Sequence, residues 1–384
     1  MARILVSLAV LISSAAFSQD KAIAYYTLGN DTTIIQHFEF SNNQFQTTFI
    51  QFTGGITKCE ATGKLDDKGD LLQVSSLNYR LTANGSWELT THGENKFDGD
   101  STIYTATNPQ GAIVVRRSFA GNGILANGMD IGSFYTFAYM GFYAPKKTGD
   151  TLFHRQLSFN GFRKYIVARL DKDKIRIGSN LMGYLVSTID KKGRLKKIEG
   201  VGSSLNIIAN LDRDKTALSL LDEYARNKNA SGINVVRTLR DTAVITLDNT
   251  KIEIDYWQPH KRGREIFGNV VPWGRIWRTG ANNATQLRIS NDIIIGDKKL
   301  AKGIYGLWSF LTEAKWELIV NKNANAWGTD HDPAADIFRI PYTVERVQDP
   351  VEILKIFFVR TGDKKAVMVL EWDSYKASVN ITAE

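Results

Sequence analysis

IIQHFEF (residues 34–40) and FQTTFIQF (residues 45–52) are the runs that decide the fold class. Both are rich in Ile, Phe and Thr, both alternate apolar with polar residues, and both are too short for a helix of ordinary length. LLQVSSLNYRL (71–81) and SWELTTHGE (86–94) repeat the pattern. The segments between such runs carry Gly beside Asp, Asn or Lys: DDKGD (66–70), NG (84–85), DGD (98–100) and DKKGR (190–194). Those are hairpin turns, so the chain from about 23 to 210 is expected to form antiparallel β-structure, a sheet or half-barrel. The likeness of DDKGDL to DKKGRL follows from shared turn chemistry and not from an internal repeat.

Further along, DKTALSLLDEYARNK (214–228) sets Ala217, Leu218, Leu221, Tyr224 and Ala225 on one face behind an Asp cap, which predicts the one helix. NASG (229–232) then reads as a linker. Strand runs resume with VVRTL, AVITL, KIEIDYW, TQLRIS, KWELIV, EILKIFFV and AVMVLEW, and seven of the eight tryptophans fall in this last part (257, 273, 277, 308, 316, 327 and 372). The expected architecture is all-β. An N-terminal β domain (19–210) is joined by a helix and linker (211–232) to a C-terminal sandwich or jelly roll (233–384).

Composition bounds the function. Residues 1–18, MARILVSLAVLISSAAFS, have the build of a secretory signal peptide, with cleavage expected between Ser18 and Gln19. The mature protein is then expected in the periplasm or outside the cell, with no transmembrane segment, because no later run reaches the roughly 18–20 apolar residues that a membrane helix needs. Cys59 is the only cysteine, which rules out an intrachain disulfide and a thiolate metal cluster. The formal charge of +8, one less without the leader's Arg3, is spread over turns such as DKDK and GDKK. That is not a nucleic-acid track.

The densest chemistry lies in VPWGRIWRTGANNAT (271–285), inside a long connection that follows the strand KIEIDYW. Long loops on a rigid sheet are common carriers of function. Arg264, Arg275 and Arg278 offer planar charged forks for a carboxylate or phosphate, Asn282 and Asn283 offer paired donors and acceptors, and Trp273 and Trp277 could floor a ring-shaped ligand. The opposing reading is a packed loop in which tryptophans are core and arginines serve buried carbonyls. Asp255 and Arg264 are assigned to orienting or neutralising the other arginines.

KRGR (261–264), VPWG (271–274), WRTGAN (277–282) and WGT (327–329), in this order, resemble the bacterial exported family DUF2911, a domain of unknown function, over about residues 238–381. Trp273 stands where members commonly show Tyr, and Asn283 where they show an acidic residue or Ala. The resemblance implies export and supplies no activity.

Other candidates are thinner. His331 stands between Asp330 and Asp332 with Asp336 nearby, too few ligands for a catalytic zinc, so a solvated loop is expected and no metal or cofactor. No GxSxG, HExxH or GxxxxGK[ST] motif occurs, which weighs against an enzyme. SFYTFAYMGFY (133–143) could line an apolar groove or fill a β core. The expected function is binding of a polar or anionic small molecule, a saccharide included, through Trp273, Arg275, Trp277, Arg278, Asn282 and Asn283. The alternatives are a hydrolase on the same loop and a structural envelope protein.

Overall fold

The computed structural model describes residues 20–41, 43–66, 71–121, 146–158, 161–179, 183–200, 207–231 and 238–384. The leader segment 1–18 and the aromatic run 133–143 lie outside them.

The first fourteen strands are β1 (Asp20–Leu28), β2 (Asp31–Ser41), β3 (Gln44–Gln51), β4 (Thr57–Leu65), β5 (Leu71–Leu81), β6 (Trp87–Asp98), β7 (Ser101–Thr107), β8 (Ile113–Ala120), β9 (Thr151–Ser158), β10 (Gly161–Asp171), β11 (Lys174–Ser179), β12 (Gly183–Ile189), β13 (Leu195–Glu199) and β14 (Ile208–Asp212). They form one antiparallel sheet in which β1 pairs with β14, so the segment's first and last strands lie side by side in its middle and β8 and β9 are its ends. The turns expected at NG, DGD and DKKGR are made by Gly85, Gly99 and Gly193, all at positive φ. Phe38, Phe45 and Phe49 from one half meet Val167, Ile177 and Leu185 from the other in a shared core, so the sheet curls over itself. Each fully buried side chain of this size contributes about 1.5–3 kcal/mol.

Helix α1 (Ser219–Ala230) begins later than its apolar pattern predicts. The Asp212 carboxylate takes the N–H groups of Asp214 and Lys215 in a turn, which holds Asp214 outside the helix, and Leu218 occupies the cap with no side-chain hydrogen bond. Leu221 and Ala225 pack on Ile23, Ile35, Ile50 and Phe52, the face of the sheet opposite the main core, while Leu218 is exposed.

The remaining chain forms two sheets. One contains β15 (Leu239–Leu247), β16 (Thr250–Gln258), β17 (Arg275–Trp277), β18 (Thr285–Ile289), β21 (Gly303–Leu311), β22 (Trp316–Asn321) and β23 (Asp336–Pro341). The other contains β19 (Ile293–Ile295), β20 (Lys298–Leu300), β24 (Thr343–Arg360) and β25 (Lys365–Ala383). Ile252, Ile254, Leu287 and Leu318 of the first pack with Ile293, Ile356, Leu370 and Trp372 of the second in one core. This is the face-to-face packing of a sandwich.

The two halves of the chain touch at a pair of turns. The Asn30 N–H donates to Arg262 O at 3.0 Å, and the Arg262 guanidinium pairs with Asp31. Gly29 and Gly263, both at positive φ, make the approach possible. A Cβ on Gly29 would stand 2.1 Å from Arg262 O, and one on Gly263 would stand 2.3 Å from Asn30 Nδ2.

Candidate functional site

The connection between β16 and β18 is packed onto the sandwich core by its aromatics. Trp277 is buried, stacks on Trp372 at 5.9 Å between ring centroids, and donates its indole N–H to Gly280 O at 3.0 Å. Trp273 is half-buried and lies against Phe267 and Trp316 at 6.4 and 6.2 Å. Both rings are therefore engaged with the protein, and they do not form an open floor beside the loop.

The expected site residues separate into groups. Arg264 donates Nε to Lys261 O at 3.0 Å and Nη2 to His260 O at 2.6 Å, so it serves the carbonyls of its own loop. Burial and the neighbouring Arg262 push its pKa down to about 10. Asp255 is forked by Arg240, with Nε at 2.6 Å, and pairs with neither Arg275 nor Arg278. Arg275 is exposed on β17, where its backbone pairs with Leu311.

Arg278, Asn282 and Asn283 are brought together, and the element that gathers them is the connection from Asn321 to Asp336. The Gly328 N–H donates to Asn282 O at 3.0 Å, the Ala284 N–H donates to Ala326 O at 3.1 Å, and Asn283 forms an antiparallel bridge with Trp327. This connection is a strap across the outer face of the larger sheet. Beneath it lies a small apolar layer of Ala284, Trp308, Ile319 and Ala326, flanked by Ile276 and Phe310. The strand loop itself is strained, since Thr279 and Asn282 sit at φ 52° and 55°. A β-branched residue there costs on the order of 1–3 kcal/mol. The Thr279 hydroxyl shares a hydrogen bond with Ser309 Oγ at 2.8 Å, and Thr279 O accepts from Thr285 Oγ1 at 2.9 Å, which hold the turn in place.

Arg278 shares the lowered pKa of Arg264 but not its carbonyl partners. Its Nε is sealed from solvent with no hydrogen-bond partner, and no carboxylate pairs with the guanidinium among the described residues. Burial alone pushes its pKa down to about 10, which leaves it charged at neutral pH. Since Nε is sealed and the residue as a whole is half-buried, the terminal Nη1 and Nη2 are the donors left for a ligand.

Two further features escape a motif search. His331 is no solvated loop residue: its side chain is only 9% exposed, Nε2 lies 2.8 Å from Asp336 Oδ1, and the ring meets Trp308 edge-on at 5.0 Å. Asp336 also accepts from Asn321 Nδ2 at 2.8 Å and Arg339 Nη2 at 3.2 Å, which commits its oxygens. Gly328 is the other, because Arg278 passes over it. The only signal in the sequence was the order WRTGAN and then WGT.

These contacts all lie in one segment. Residues 239–381 match the DUF2911 family model, described as a protein of unknown function. The matched segment thus begins at β15, ends within β25, and contains Arg278, its loop and the strap. No curated protein matches the chain. A crystal structure of a DUF1089 family protein from Pseudomonas aeruginosa is similar at 11% identity, covering 44% of this chain and 89% of that one, with a TM-score of 0.29.

Proposed function

We propose that the DUF2911 segment binds a small anionic molecule through Arg278, and that the protein does so after export and loss of residues 1–18. The observation that carries this reading is the guanidinium with a sealed Nε and no counter-charge. Buried charges are ordinarily paired, and removing one partner of a buried pair costs about 3–5 kcal/mol. Arg264 illustrates the ordinary solution in the same loop, with two carbonyls on its guanidinium. Arg278 lacks such a solution, and an anion supplies it. Asn283 and the partly exposed Trp327 lie at the outer surface of the strap, where the rest of a polar ligand, a sugar acid among the candidates, would be held.

The hydrolase alternative draws on one observation, the His331–Asp336 pair on the same strap. A thermal-shift screen of the wild type beside Arg278→Ala tests the binding reading against sugars, sugar acids, phosphates and nucleotides. A ligand at about 100 times its Kd should stabilise the wild type by about 2.7 kcal/mol. The variant should show no response. Turnover of any compound that binds then tests hydrolysis.

A further inference from the structure

The surroundings of Arg278 also restrict which anion fits, an inference that rests on the binding reading above. Sulfate is a dianion at neutral pH and phosphate is mostly one at pH 7.5, and protein sites for them gather several donors, usually with more than one positive charge or a row of free main-chain N–H groups. Neither His331 nor Arg339, the basic side chains where the strap returns to β23, is free to supply a second charge. The Arg339 guanidinium is engaged by Asp336 at 3.2 Å, and the His331 ring is held by the same carboxylate. Arg275 is exposed and shares the strand face of Trp277, opposite to Ile276 and the layer beneath the strap.

Four of the main-chain donors where loop and strap cross are spent as well. The Gly328 N–H goes to Asn282 O, Ala284 N–H to Ala326 O, Thr285 N–H to Arg278 O at 3.2 Å, and Asp330 N–H to Trp327 O at 2.8 Å. The side chain itself is a single fork carrying one positive charge. Two parallel N–H groups match the two oxygens of a carboxylate, and one charge neutralises one charge. A dianion held there would keep a negative charge that one guanidinium does not neutralise.

We infer that the ligand of Arg278 is a carboxylate, taken end-on by the two terminal nitrogens, and not a phosphate or sulfate. A second charged residue is not needed, and the planar fork is. The stem of the side chain is held against Gly328, so the fork is already oriented before the ligand arrives.

The test is titration of the full chain with 13C-labelled acetate and, separately, inorganic phosphate at matched ionic strength and pH 7.5. Broadening of the 13C and 31P resonances reports weak binding. Wild type, Arg278→Lys and Arg278→Gln are compared, each checked for a native near-ultraviolet spectrum. The expected result is acetate binding at least about fivefold tighter than phosphate, weakened about tenfold by Arg278→Lys, which keeps the charge and loses the fork, and abolished by Arg278→Gln. Phosphate binding as tightly as acetate would overturn the carboxylate assignment and leave the anion reading standing. Arg278→Lys binding acetate like the wild type would overturn the role of the fork. Binding of neither anion to the wild type would overturn the assignment together with the reading on which it rests.

Discussion

Arg278 runs across the α-carbon of Gly328. A Cβ built on Gly328 would stand 1.9 Å from Arg278 Cδ and 2.7 Å from Nε, so the glycine of WGT is the space through which the arginine of WRTGAN passes. The same glycine's N–H is bonded to Asn282 O, which fixes the strap at the point where the two motifs cross.

Gly328→Ala should therefore displace Arg278 or lift the strap. Overpacking of this kind costs about 1–3 kcal/mol. The expected outcome is a lower Tm in the absence of ligand together with loss of any anion-induced shift, read by differential scanning fluorimetry. An alanine variant with wild-type Tm and wild-type anion response would show that the crossing is not tight.

Arg278→Met keeps much of the stem's volume and removes the charge. Replacing even a paired buried charge and its partner by apolar side chains is often neutral or stabilising, by about 1–4 kcal/mol, and an unpaired guanidinium has no partner to strand. In urea without added anion, this variant is expected to unfold at the wild-type midpoint or above it. A fall of several kcal/mol would mean that the guanidinium is structural, as that of Arg264 is.

Asp31→Ala addresses the junction between the two halves. Arg262 is almost fully buried, with its side chain 9% exposed, whereas Asp31 is 31% exposed. Water at Asp31 screens the pair, so the expected cost is about 1–2 kcal/mol, below that of a fully buried bridge. Denaturant unfolding monitored by tryptophan fluorescence checks this, because seven of the eight tryptophans belong to the C-terminal half.

Tyr256 sets an alkaline limit. Its hydroxyl donates to Asp241 Oδ2 at 3.0 Å and accepts the Ile356 N–H at 2.9 Å, and burial pushes its pKa up to about 12. The unfolded value is near 10, so the folded state holds the phenolic proton more tightly. That contribution is complete below pH 10 and is lost as pH rises through about 12. Tyr256→Phe should lower stability by about 1–2 kcal/mol at pH 8 and make the decline between pH 10 and 12 shallower. Urea midpoints measured across that range report both effects.

The strands were legible because their signal is local. LLQVSSLNYRL coincides with β5, and the alternation of KIEIDYW places Ile252, Ile254 and Tyr256 in the core. The long hairpin was less so. EILKIFFV and AVMVLEW mark only parts of β24 and β25, since register shifts between Arg346 and Val351 and between Val351 and Lys355 carry the pairing past a proline that ends the pattern. The helix start depended on a turn at Asp212 that competes for the same Asp-rich segment.

At the site, residue type was legible and role was not. Arg264 and Arg278 are the same residue in one loop, and only the path of the backbone, which turns two carbonyls toward Arg264 and none toward Arg278, separates them. Trp277 could be placed in the core only by knowing that Trp372 stacks on it. His331 and Asp336 join because the strap returns to β23, a contact that no spacing rule encodes.

The central claim is that Arg278 holds an anion, and its own side chain is the most direct witness. With arginine 15N-labelled, the Arg278 Nε resonance is assigned as the one missing from Arg278→Lys, and sodium acetate is titrated at constant ionic strength. The account predicts a saturable shift of that resonance while the Arg264 resonance stays in place. An Arg278 resonance that does not move, or that moves only in step with every other arginine, would contradict it.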